Sequence, residues 1–258
     1  MAARVKPNSG KVIYLYGVTR KLVTPVPKVP AVDGAAGVEA LGCADLICWI
    51  TRVDRSEYAD NLSANMENLD WLAEASVRHQ RVVAAIAAET EILPARFGTV
   101  FLSEASLEAD IQSKKKTLDR DLRKIKDSDE WGVKVFGVQP KVELPRAGAR
   151  TGKDYLKAKA ALLQRRPTKG TDADLIRFEE ELKRVAVETA VGGKISSGQR
   201  GLQWQTSLLL RRDDRKRFEA LLKKFSKEWA DVRQIEATGP WPPYSFVSRD
   251  DGKQETGT

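Results

Sequence analysis

The chain has 258 residues, of which 41% are hydrophobic and 31% charged, with a net charge of +8 at pH 7. That length suits two modest domains, and that apolar content excludes a disordered chain. No run of about 18 apolar residues occurs, so no transmembrane helix is expected; the basic opening segment lacks an apolar stretch, so no signal peptide is expected and the default compartment is the cytoplasm.

Lys11–Gly17 reads as a first strand, rich in β-branched and aromatic residues and ended by glycine. Residues 18–42 are rich in proline and glycine. Pro25, Pro27 and Pro30 forbid a helix there, so an irregular excursion is expected, with a short strand near its end. Asp45–Val53 is a second strand. From about Asn65 to Thr90 the spacing of Leu72, Ala75, Val82 and Ile86 predicts a helix. Ala95–Leu102 reads as a third strand. Ser103 caps a following helix whose buried stripe is Leu107, Ile111, Leu118, Leu122 and Ile125. Trp131–Val138 is a fourth strand. The order β-β-α-β-α-β predicts an α+β fold with a ferredoxin-like N-terminal sandwich over residues 1–138.

Residues 139–153, with Pro140, Pro145 and Gly148, read as a linker. A C-terminal α+β domain is expected over 154–248, with long helices and a β-α-β unit. Leu156, Ala160 and Leu163 form one amphipathic helical piece; Leu175, Phe178, Leu182 and Val185 form a second. Residues 192–201 form a loop. Leu202, Trp204, Thr206, Leu208 and Leu210 then alternate with polar residues as a half-buried strand does, Leu209 being the one break. Asp213 is placed to cap a last helix carrying Phe218, Leu221, Leu222, Phe225 and Trp229. Residues 232–237 and 244–247 read as strand pieces, and 249–258 as a flexible tail.

Groups suited to catalysis are few. The single histidine, His79, shares the buried stripe of its helix, where a hydrogen-bonded core role is expected rather than that of a base. Cys43 and Cys48 match neither a disulfide framework nor a four-ligand zinc site, and read as small buried residues. Gly148–Asp154 resembles a phosphate loop, but three residues separate its glycines where four are needed. Asp154 also stands where a hydroxyl should hold magnesium. No catalytic residue, metal or cofactor is expected.

The +8 charge favours acidic partners. Lys114–Asp127 holds seven basic and three acidic residues, so Lys114, Lys115, Arg120, Arg123 and Lys124 are candidate partner contacts; a solvated helix face is the plainer reading. Strand Ala95–Phe101 lacks the aromatic pattern of RNA-binding sheets, and a basic nucleic-acid-binding or regulatory module is the alternative reading. Trp131, Trp204 and Trp229 are expected to pack in a core. Trp241, between Pro240 and Pro242-Pro243, is held stiffly; packing is the favoured reading and an interface anchor the second.

Several blocks then resemble one family in order. They are Tyr14–Val18; the helix with Glu74, Ala75, His79 and Val83, followed by Ile92–Phe101 (ILPARFGTVF); Trp131–Val135; Gly152–Leu156; Leu208–Arg211 with Phe218 and Leu222; and Thr238–Val247 (TGPWPPYSFV). They are similar to the GvpL/GvpF gas vesicle proteins over residues 11 to 247, leaving out the excursion and the tail. The resemblance implies two α+β domains and a non-enzymatic accessory or minor structural protein of gas vesicle assembly. It also implies a place at the gas vesicle, within the cytoplasm of a prokaryotic cell. The implied partners are the shell protein GvpA and other accessory Gvp proteins; no nucleic acid, lipid membrane or small-molecule substrate is expected.

Overall fold

The computed structural model describes residues 10–138, 172–191, 199–230 and 232–248. They form antiparallel sheets and helices divided between two compact units. One comprises residues up to Asp129 together with those from Trp241 onward; the other is Glu130–Pro240.

In the first unit, strand β1 (Lys11–Thr19) is buried along nearly its whole length, as a strand covered on both faces must be. It runs antiparallel to β3 (Leu46–Asp54), with a register shift between Leu15 and Gly17. Strand β2 (Glu39–Cys43) joins β3 through Ala44 and Asp45, both at positive φ (49° and 63°). Two such residues make the tight turn whose twist suits a hairpin. Short strands β4 (Ile92–Pro94) and β5 (Val100–Phe101) flank β1 further along, so the path across the sheet is β2-β3-β1-β4 with β5 also on β1. Gly17 makes this packing possible: a Cβ there would lie 2.5 Å from the Leu93 carbonyl oxygen.

Helix α1 (Leu62–Glu67) leads to α2 (Leu69–Ala87), where Asn68 Oδ1 accepts the Asp70 and Trp71 amides. This satisfies donors that the first turn leaves unpaired. The inner stripe of α2, with Ala75, Val82, Val83 and Ile86, packs on Val12, Tyr14, Tyr16, Trp49 and Val53 of the sheet. Alternate residues of β1, Leu15 and Val18, instead line a cleft with α3 (Glu104–Lys124). Ser103 caps α3 reciprocally with Ser106. The proline-rich excursion is anchored from within: the Val32 amide donates to the Tyr16 hydroxyl, Tyr16 to Thr51, and Thr51 to the Gly37 carbonyl.

The second unit uses β6 (Ser128–Gly137), α4 (Asp172–Val185), β7 (Glu188–Val191), β8 (Leu202–Arg211), α5 (Arg215–Glu228) and β9 (Arg233–Trp241). Its strands lie in the order β7-β8-β6-β9. Trp131, Val133 and Val135 meet Phe178 and Leu182, Leu208 and Leu210, and Phe218, Phe225 and Trp229 in one core. Phe178 sits 4.8 Å from the Phe225 ring and 5.1 Å from Trp229, within the range of favourable aromatic pairs.

Several expectations are corrected. The strand at Trp131–Val138 does not close the first sheet, for β6 pairs within the second sheet, and the boundary between units falls inside β6 rather than after residue 138. The order β-α-β-β-α-β, which defines the ferredoxin-like motif, is therefore not that of the first unit; the described elements of the second unit run in that order. Alternation in Trp131–Val135 marks a buried face but cannot say which later strands will cover it. Asp213 does not cap α5, because a 3₁₀ turn at Arg212–Asp214 intervenes and Asp214 stands at the cap without a side-chain bond. Residues 244–247 form no strand: Tyr244–Phe246 is a 3₁₀ turn following Pro243. The expected linker, the Leu156–Leu163 helical piece, the phosphate-loop lookalike and the tail lie outside the described residues.

Candidate functional site

His79 is 1% exposed. Its Nδ1 lies 2.9 Å from the Tyr14 hydroxyl and its Nε2 lies 3.0 Å from that of Tyr244. The Gly98 amide donates to the Tyr14 oxygen, which leaves the Tyr14 proton directed at Nδ1 and makes Nε2–H the fitting tautomer. Burial pushes the imidazole pKa down to about 4, partly offset by a hydrogen bond to the Ala95 backbone. At neutral pH His79 is thus uncharged, with both nitrogens engaged. It joins β1, α2 and the closing segment, as a core histidine does. Burial acts in the opposite direction on the Tyr14 and Tyr244 hydroxyls, raising both.

Of the stretch read as one strand from Ala95, Val100–Phe101 is strand β5 and the residues before it form the turn between β4 and β5. The Thr99 hydroxyl and amide both donate to the Arg96 carbonyl, at 2.8 and 3.2 Å, and Gly98 has φ +80°. Phe97 turns inward against Trp71, His79 and Tyr14 at 5.8–6.2 Å, while Arg96 faces out.

The candidate cations of α3 fall into two groups. Lys114 pairs with Asp110 at 2.7 Å and Lys115 with Asp119 at 2.9 Å. Arg120 contacts buried Asp121 and donates to the Ser248 hydroxyl. These charges are largely spoken for within the unit. Arg123 is exposed and lines a hollow of about 260 Å³ with Lys21, Lys126 and Arg20, the last paired with Asp119 at 2.8 Å; Lys124 is the last residue of the helix. The sequence reading missed Arg20 and Lys21, which the excursion alone could not place beside α3. Trp241 is 54% exposed. This corrects the expected packing of its ring: the flanking Pro242 and Pro243 are buried instead. Trp131 and Trp229 are buried in the second core, with Trp204 packed against it.

A further surface was not anticipated. Leu69, Ala73, Val77 and Ala84 are all exposed on α2, opposite its buried stripe. Leu69 is 78% and Val77 49% exposed, and Met66 of α1 41%. Their spacing of four and seven residues keeps them on one face. The signal was present in the sequence, since this helix is apolar on more than one side. Arg81 and the Arg78–Glu74 pair (2.9 Å) border the row.

Cys43 and Cys48 are free and buried, and burial raises both thiols, so neither is disposed to react as thiolate. Among the described residues no cluster of histidine, cysteine and carboxylate side chains is placed to hold a metal, and no helix is long and apolar enough to cross a membrane.

The profile of the family described as "Gas vesicle synthesis protein GvpL/GvpF" matches residues 12–248. The chain belongs to the GvpL/GvpF family. A curated relative, gas vesicle protein L of Streptomyces sp. (strain CB03234), is 29% identical over 252 residues, covering 93% of this chain and 94% of its own length. Two solved structures share the fold. GvpF from Anabaena sp. PCC7120 superposes with a TM-score of 0.68 at 17% identity, covering 93% of this chain and 97% of its own. GvpF from Microcystis aeruginosa gives 0.63 at 18% identity, covering 92% and 99%. In this GvpL/GvpF chain the family-like block Ile92–Phe101 is β4, β5 and the turn between them, which carries Phe97 into the core and Arg96 out of it, and the closing block carries Tyr244 onto His79.

Proposed function

We propose that this chain is a non-enzymatic accessory or minor structural protein of gas vesicle formation. It binds the shell protein GvpA and other Gvp proteins during assembly and limits shell-protein aggregation in the cytoplasm. The observation that carries this reading is the exposed apolar row Leu69–Ala73–Val77–Ala84 on α2. A wall that holds gas must be built from subunits with extensive apolar surface, and apolar patches beyond a few hundred Å² aggregate unless covered. An apolar helix face on an otherwise charged protein covers such a patch through the loss of apolar surface from water, then releases it when the growing wall offers a larger one. The cations at the end of α3, Arg123 and Lys124, steer acidic partners toward the unit. Exposed Trp241 serves as an anchor.

Light scattering of refolding shell subunit tests this. Molar excess of the wild-type chain lowers the scattering, and the double substitution Leu69→Glu, Val77→Glu abolishes that effect while leaving the melting temperature unchanged. Equal protection by the double variant removes the apolar row from the mechanism. Protection that disappears when salt shortens the screening length below about 10 Å assigns the contact to the cations instead.

A further inference from the structure

The first unit holds a cleft of about 330 Å³ between α3 and the sheet. It arises from the way β1 is paired. β5 bonds β1 at Ile13 and Tyr14, and β4 bonds it from Gly17 to Thr19. Between them the Arg96–Thr99 turn takes over, through Leu15 N–H to the Thr99 carbonyl (3.0 Å) and Ala95 N–H to the Tyr16 carbonyl (2.8 Å). The cleft is lined on the sheet side by Leu15, Val18 and Leu93, and on the helix side by Ile111 and Leu118. Apolar walls with a few placed polar groups are what ligand sites of about this size share.

The charges around it are unequal. Asp110 is paired with Lys114 at 2.7 Å. Asp121 is 1% exposed and engaged by Arg120 at 3.3 Å and by the Ser248 amide at 2.7 Å. Arg96 lines the same cleft, is exposed, and makes no ion pair with a described residue. Its backbone is fixed at several points: Thr99 bonds its carbonyl twice, Gly98 holds the left-handed turn, and the Gly98 amide is tied to Tyr14. The cleft therefore combines apolar walls, two internally neutralised acids and one presented guanidinium. A guanidinium matches a carboxylate with two parallel hydrogen bonds, which no other side chain does as well.

We propose that this cleft binds a peptide segment of a partner protein in which apolar side chains flank an aspartate or glutamate. The apolar side chains enter between Leu93, Ile111 and Leu118, and the side-chain carboxylate meets Arg96. The site is distinct from the apolar row of α2, so its failure leaves the chaperone-like reading untouched, and the converse holds.

Fluorescence anisotropy with the full chain tests it. The probe is a fluorescein-labelled, C-terminally amidated peptide, Gly-Ser-Leu-Phe-Glu-Leu-Ser-Gly, and the comparison probe carries Gln in place of Glu. The proposal predicts saturable binding of the Glu probe. It predicts at least about tenfold weaker binding on changing either the probe to Gln or Arg96→Gln, and little further loss on combining the two. Thr117→Phe, which fills the cleft from α3, also weakens binding, whereas Arg81→Gln on α2 does not. An unchanged melting temperature for Arg96→Gln shows that the loss is one of contact. No saturable binding of the Glu probe, equal binding of the two probes, or full binding by Arg96→Gln overturns the proposal.

Discussion

Acidification should destabilise the first unit through His79 in a way that a non-titrating residue at that position removes. Free histidine titrates near 6.5, and burial between Tyr14 and Tyr244 holds the folded value at about 4. The folded state therefore favours the neutral ring. Above pH 6.5 neither state binds the proton and the full benefit of the neutral site is present. As pH falls below 6.5 the unfolded chain takes up the proton first, and stability declines until the folded ring also protonates near 4. Over that window the loss amounts to about 3 kcal/mol, and at about pH 4.5 most of it, roughly 2–3 kcal/mol, has occurred. Urea unfolding of wild type and His79→Gln at about pH 7.5 and about pH 4.5 isolates the effect, because carboxylates common to both chains cancel in the difference. The variant should be less stable at the higher pH, since the site loses hydrogen bonds, yet should lose about 2–3 kcal/mol less on acidification. The chain has one histidine, so its imidazole resonance needs no assignment and should titrate near 4 in the folded protein. Equal acid sensitivity of the two chains, or a midpoint near 6.5, would refute the reasoning.

Trp241→Ala should change stability by less than about 0.5 kcal/mol, because the ring is 54% exposed, while weakening capture by shell subunit by about 2 kcal/mol; a large drop in the unfolding midpoint would show that the ring packs after all. Gly98→Ala has room for its methyl group, the nearest atom being Leu62 Cδ2 at 3.7 Å, so its cost comes from backbone alone and should be about 1–2 kcal/mol. An unchanged melt would mean that the turn does not hold the left-handed conformation in solution.

Local physics made much of the first unit readable. The β-branched and aromatic run at Lys11–Gly17 became β1, and the spacing of Ala75, Val82 and Ile86 became the buried stripe of α2. Ser103 capped α3 as its residue type predicts. What failed depended on distant partners. Trp131–Val135 alternates as a strand should, but its place in the second sheet is set by β8 and β9, much later in the chain. Ala95–Leu102 reads as one strand by composition, yet only Val100–Phe101 pairs as one, because the Tyr14 hydroxyl and the Phe97 pocket make a turn before it more favourable. His79 was legible as a core residue because it fell on the stripe, whereas its partner Tyr244 lies 165 residues away. The α3 charge run was visible, but that Lys114, Lys115 and Arg120 are engaged within the unit emerges only from side-chain geometry. The exposed row of α2 is hard to read from sequence, because Ala75, Val82 and Ile86 already supply the one buried stripe a surface helix needs.

The most direct test of the account is deletion of this gene alone in its host, followed by counting vesicles by electron microscopy. The account predicts few or no vesicles in the deletion strain, recovery with the wild-type gene, and failure of the Leu69→Glu, Val77→Glu gene to restore them at equal protein abundance. Normal vesicle numbers in the deletion strain would contradict a role in gas vesicle formation, and full rescue by the double variant would contradict the apolar row as its means.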